Sequence, residues 1–198
     1  GSECTLFLKK DDSFPLTKSG KIILIGSGAR DTIMGGSSSG DVNTRTYTTI
    51  EQGLEKEGFD IVSKDWLDEF PSFKKAKHQE FLDYINKTAE KLKSQEEYIS
   101  KGAVESEVEY DLKLEKYEKS KPIAAIFVLG RVSGEGSDRR AIKGDLYLTD
   151  SEIRDILYLN EKYEKFLLVL NVPGVVDISP ITKKVKNIFL LSQLGSVT

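Results

Sequence analysis

The chain has 198 residues, 38% hydrophobic and 31% charged, which is enough for one α/β domain with a substantial core. Its 29 basic and 32 acidic residues give a net charge of −3, too even to indicate a nucleic-acid or acidic-membrane partner. A single cysteine, Cys4, excludes an intrachain disulfide and a cysteine-built zinc site. Neither a metal nor a cofactor is expected.

The one histidine, His78, allows a Ser-His-Asp triad only at that position, and its lysine-rich surroundings (residues 74–78) read as solvated surface. No apolar run reaches the ~20 residues of a membrane span. No signal-peptide pattern is visible either, so a cytoplasmic location is the default expectation. Gly1-Ser2 reads as a cloning remnant.

Along the chain, KIILI at residues 21–25 is the first continuously apolar run, followed by IAAIFVL at 123–129, FLLVL at 166–170 and IFLL at 188–191. Continuous rather than alternating apolarity is the pattern of strands buried on both faces of a parallel sheet. Residues 49–58 read as a helix with Thr49 as N-cap and Gly58 just past its end, and FDIV at 59–62 reads as the next strand. Residues 149–162 open with a capping box, Glu152 reaching back to Thr149. Ile153, Ile156, Leu157 and Tyr163 then recur at helical spacing. The alternation predicts an α/β fold: an open, mostly parallel sheet of about six strands with helices on both faces.

Residues 71–120 break the rhythm. Of these 50 residues 21 are charged, 11 acidic and 10 basic, which predicts a solvated, partly helical insertion at the sheet edge or a contact with another domain or subunit. Phe81, Leu82, Ile85 and Ala89 fall at helical spacing, whereas Glu105, Glu107 and Glu109 alternate with Val104, Ser106 and Val108 as in a short exposed strand.

Three glycine clusters follow predicted strands. Gly26-Ser27-Gly28-Ala29-Arg30-Asp31 lacks the third glycine of a dinucleotide fingerprint and puts Asp31 where phosphate would lie. Gly35-Gly36-Ser37-Ser38-Ser39-Gly40-Asp41 has phosphate-loop glycine spacing, but Asp41 and Val42 replace the required Lys and Ser/Thr. It reads either as a strand-to-helix connection or as a ligand-edge loop. A flavodoxin-like nucleotide binder therefore fits the fold rhythm but not these loops. The third cluster is Arg131-Val132-Ser133-Gly134-Glu135-Gly136-Ser137-Asp138-Arg139. Glu135 between two glycines is either a surface turn or a projected acid, with Asp138 and Arg139 able to brace it.

Ser133-Gly134-Glu135-Gly136-x-Asp138-Arg139 after a buried strand resembles the acid/base loop of family 3 glycoside hydrolases, the β-glucosidase type. Four further segments resemble that family in the same order. They are residues 4–15, residues 21–28 with 35–43, residues 166–178 with the Pro173-Gly174 and Val176-Asp177-Ile178 exit, and residues 188–195.

The resemblance implies that all of 1–198 is the α/β-sandwich domain, with 71–120 as its insertion. A (β/α)8 barrel, typically ~250 residues, would be a separate partner domain supplying an aspartate nucleophile. Glu135 would then be the general acid/base toward a β-linked glucoside or oligosaccharide. Ser133, Gly134, Gly136, Asp138 and Arg139 would support its loop, and Gly35, Gly36, Ser37, Asp41 and Asn43 would line the aglycone side. The stop at 194–198 resembles a cut within a longer enzyme, so this piece is expected to be inactive alone. The alternative is a non-catalytic carbohydrate-binding or interaction module with the same sandwich.

Overall fold

The computed structural model describes residues 5–36, 47–89, 106–132 and 139–192. Six strands form one sheet in the order β1-β6-β5-β4-β2-β3. They are β1 (Thr5–Lys9), β2 (Lys21–Ile25), β3 (Asp60–Ile61), β4 (Ala124–Gly130), β5 (Phe166–Asn171) and β6 (Ile188–Leu191). All neighbours pair in parallel except β1, which runs antiparallel along β6.

The apolar runs occupy the centre. Ile22 to Ile25 and Val128 to Leu129 are fully buried, and the other β4 residues nearly so. Emptying such a site costs about 2–5 kcal/mol per large aliphatic side chain. At the β3 edge the ladder lasts only two residues. Beyond it the Ser63 hydroxyl accepts from Leu24 N–H (2.9 Å) and donates to Leu24 C=O (2.8 Å), replacing the next backbone pair.

Helix α1 (Ile50–Lys56) connects β2 to β3, α2 (Lys64–Ala89) follows β3, α3 (Asp150–Lys162) connects β4 to β5, and α4 (Ser179–Thr182) precedes β6. Right-handed crossovers put α1 on one face of the sheet and α2, α3 and α4 on the other, as the sequence predicts. Both expected N-caps form. Thr49 and Thr149 each accept from the third helical residue, and Gln52 and Glu152 return the bond. Gly58 has φ +82 just after α1, a conformation glycine reaches without a Cβ penalty.

The segment 71–120 departs from its expected boundaries. Its helix begins at Lys64 and runs through Pro71, so there is no break where the charge density rises. Residues 106–109 form no strand; Val108 instead faces the core, as do Tyr110, Leu112, Leu114 and Tyr117. Trp66 stacks on Phe70 (4.8 Å between centroids), and the Tyr110 ring meets both edge-on. The later half of the segment is therefore a strap that completes the core over α2 and α3. Charged positions between its buried ones hid that role in the sequence. His78 is exposed, as expected.

Candidate active site

Strands β2 and β4 are neighbours, but the chain leaving β2 crosses towards β3 while the chain leaving β4 crosses towards β5. Their carboxyl ends therefore mark the switch point of the sheet, where connections diverge and leave a crevice for ligands. The first and third of the glycine clusters singled out in the sequence, at 26–31 and 131–139, leave from there.

The first of them packs backbone on backbone. Gly28 N–H donates to Val128 C=O (3.1 Å), and Ser27 Oγ accepts from Gly130 N–H (3.0 Å). Gly26 has φ +102, and a Cβ on it would stand 2.3 Å from the Val128 carbonyl oxygen. These glycines are thus explained by close strand contact rather than by a phosphate. Arg30 is likewise engaged, its guanidinium gripping both Glu51 carboxylate oxygens (2.7 and 2.8 Å).

Asn171, fully buried at the end of β5, holds the same segment further along. Its Oδ1 accepts from Ile33 N–H (2.6 Å), and its Nδ2 donates to Ile33 C=O (3.0 Å) and Leu191 C=O (3.4 Å). Its own backbone oxygen accepts from Arg131 N–H (3.2 Å). Gly35 and Gly36 lie half-buried two and three residues beyond that clamp. Ser37, Asp41 and Asn43 lie outside the described residues, as do Ser133, Gly134, Glu135, Gly136 and Asp138.

The two flanks of residues 133–138 are described, and one residue joins them. On the near side Arg131 is 2% exposed and forms a bidentate pair with Glu152 (2.8 and 2.7 Å), while its Nε donates to Asp145 C=O (3.1 Å). Val132, the next residue, is already 46% exposed, so the chain passes from core to surface across one peptide. On the far side Arg139 Nη1 donates to Asp145 Oδ1 (2.9 Å), and Arg140 N–H donates to Asp145 Oδ2 (2.9 Å). Burial acts to raise the Asp145 carboxyl, but the bonds from Arg140 and Arg139 outweigh it and hold the group below its usual range.

The strap reinforces this base. Glu107 N–H donates to Gly144 C=O (2.9 Å), and Gly144, at φ +83, leaves no room for a Cβ against Glu107. The Glu109 carboxylate accepts from Asp150 N–H (2.8 Å) and Ser151 N–H (2.9 Å), satisfying exposed donors at the start of α3.

Of the site residues expected from the sequence, Arg139, Gly35 and Gly36 can thus be placed around the switch point. Arg131, Asp145, Glu152 and Asn171 were not singled out, yet they organise it. The available signal was weak: a polar residue ending a buried run at Asn171, and an arginine directly after one at Arg131. Among the described residues no group of three or more His, Cys, Asp or Glu side chains is arranged to hold a metal ion. No helix among them is long and apolar enough to cross a membrane.

An open α/β sheet with two loop segments rising from its switch point defines the class of domain. Comparison with known proteins then gives the family: residues 5–198 match the glycosyl hydrolase family 3 C-terminal domain, and the chain belongs to that family. It is 27% identical to β-glucosidase A of Butyrivibrio fibrisolvens, over 88% of this chain and 22% of that protein. Its fold is similar to β-glucosidase 3B of Thermotoga neapolitana in complex with α-D-glucose, with TM-score 0.74 and 26% identity, covering 97% of this chain and 26% of that one. A β-glucosidase from Paenibacillus barengoltzii shares the fold at TM-score 0.68 and 19% identity, over 97% of this chain and 20% of that one. The chain thus spans about a quarter of the length of these relatives.

Proposed function

We propose that this domain supplies the general acid/base of a retaining β-glucosidase, with Glu135 as that residue and a (β/α)8 barrel domain carrying the nucleophile. The observation that supports it most is the shared anchoring at Asp145. Arg131 bonds to the backbone carbonyl of Asp145 and Arg139 to its carboxylate, so the two described flanks of residues 133–138 are held on one residue next to the end of β4.

In the first step Glu135 gives its proton to the glycosidic oxygen as the nucleophile attacks the anomeric carbon. In the second it takes a proton from the water that releases the sugar. Retention requires the two carboxyl groups about 5–5.5 Å apart, so the barrel must close over this edge of the sheet. A β-linked glucoside or oligosaccharide is the substrate class that follows, and the domain alone is expected to be inactive.

The test is Glu135→Gln in a polypeptide that unites this domain with its barrel. Hydrolysis of alkyl β-glucosides, whose leaving groups need the proton, should fall by ~10²–10⁴-fold, while activated aryl β-glucosides should lose far less in the first step. Equal losses in kcat/KM, which reports the first step, on both substrates would remove the acid role.

A further inference from the structure

We propose that an apolar cavity beside Gly53 binds the non-sugar group of the substrate, an aromatic ring or a branched alkyl group, and that Gly53 determines this specificity. The assignment to a substrate rests on the β-glucosidase reading above. The cavity has a volume of about 240 Å³ and lies between α1, the segment Thr32 to Met34 and the end of β6. An apolar cavity of ~150 Å³ already accepts benzene, so a substituted ring fits.

Five side chains with polar groups border it, Thr32, Thr48, Thr49, Asn171 and Ser192, and three of them have their bonds turned away. Asn171 spends its amide on Ile33 and Leu191. Thr32 Oγ1 donates to Gly28 C=O (3.1 Å) and accepts from Ile50 N–H (2.9 Å). Thr49 Oγ1 accepts from Gln52 N–H (3.1 Å) as the helix cap. What remains is mostly carbon, from Ile33, Ile50 and Leu191. Sugar hydroxyls stripped of water need replacement hydrogen bonds, and these walls offer few; an apolar ring needs none.

Gly53 is the second observation. It sits inside α1, where glycine costs about 0.5–1 kcal/mol relative to alanine. No close approach requires it, because a Cβ there would meet only the Thr48 methyl, at 3.9 Å. Its missing side chain keeps one wall of the cavity open. Position fits as well: Asn171 pairs directly with Gly130, the last residue of β4, so the cavity borders the strand next to the one that leads to Glu135.

The experiment is a titration of this chain with phenol, and separately with methyl β-D-glucoside, followed by methyl resonances of Ile33, Ile50 and Leu191. Phenol should give saturable shifts at these methyls and the glucoside none. Gly53→Leu should weaken phenol at least tenfold without lowering the melting temperature. Shifts that do not saturate in the unaltered chain, or that the glucoside reproduces, overturn the proposal whether or not the variant folds; equal affinity in a folded Gly53→Leu does so too. Saturable phenol binding together with full hydrolysis by Glu135→Gln overturns the assignment to a substrate group. Absent phenol binding with a damaged Glu135→Gln enzyme overturns the cavity alone.

Discussion

The Arg131 guanidinium and the Glu152 carboxylate form a bidentate ion pair whose side chains are 2% and 5% exposed. Such a pair is well satisfied while both partners remain, yet removing one charge strands the other in the core. Glu152→Gln keeps the amide oxygen for the helix cap but takes away the charge. It should destabilise the domain by about 3–5 kcal/mol in urea unfolding, and Arg131→Met added to it should restore much of that loss. A double variant no more stable than the single one would show that the ion pair is not the source.

The Asp145 carboxylate makes the anchoring of residues 139 and 140 sensitive to acid. Its carboxyl is held below its usual range in the folded protein, so it contributes stability above the unfolded-state value. That contribution is lost as pH falls through the depressed folded value. Protection factors for amide hydrogen exchange in residues 139–147, taken relative to the intrinsic rate at each pH, should therefore fall on acidification, and Asp145→Asn should give the low protection already at pH 7. Unchanged protection in the variant would show that other contacts hold these flanks.

Asp155 has the opposite sign. It is 2% exposed, and Arg154 Nε donates to one of its oxygens (2.7 Å) while the other has no hydrogen-bond partner among the described residues. Burial raises its carboxyl above the usual range despite Arg154; Tyr110 and Glu115 are the other titratable groups that act on it. A raised folded value means that stability is full below the unfolded-state value and is lost as pH rises through the folded one. Asp155→Asn should therefore equal or exceed the parent in stability at pH 7, with the advantage shrinking as pH is lowered towards 4. An advantage that grows in acid would reverse the argument.

The glycines divide into two kinds with opposite expected effects. Gly26→Ala forces a Cβ to 2.3 Å from the Val128 oxygen at φ +102 and should cost more than about 1 kcal/mol. Gly53→Ala meets nothing closer than 3.9 Å and should stabilise by about 0.5–1 kcal/mol. Melting temperatures of the two variants should move in opposite directions.

Most of the sheet was legible because its strands are continuous apolar runs, and α1 and α3 because their caps are local in sequence. β1 was not read as a strand: TLFLK is short, and only pairing with β6 fixes it as the antiparallel edge. The strap was misread because Val108, Tyr110, Leu112 and Leu114 alternate with charged neighbours and find the core only once α2 and α3 are in place. The site shows the same limit. Glycine clusters point to the switch point from sequence, whereas the Asn171 clamp joins Ile33, Leu191 and Arg131, which only the sheet order brings together.

As proposed above, Glu135 acts as the acid/base and not as the attacking group. The most direct measurement is Glu135→Gly in the barrel-containing polypeptide, supplied with an activated aryl β-glucoside and sodium azide. Azide needs no general base, so it should intercept the glycosyl-enzyme, restore turnover and yield β-glucosyl azide. Formation of the α-anomer would instead make Glu135 the nucleophile, and no rescue at all would leave it without a part in proton transfer.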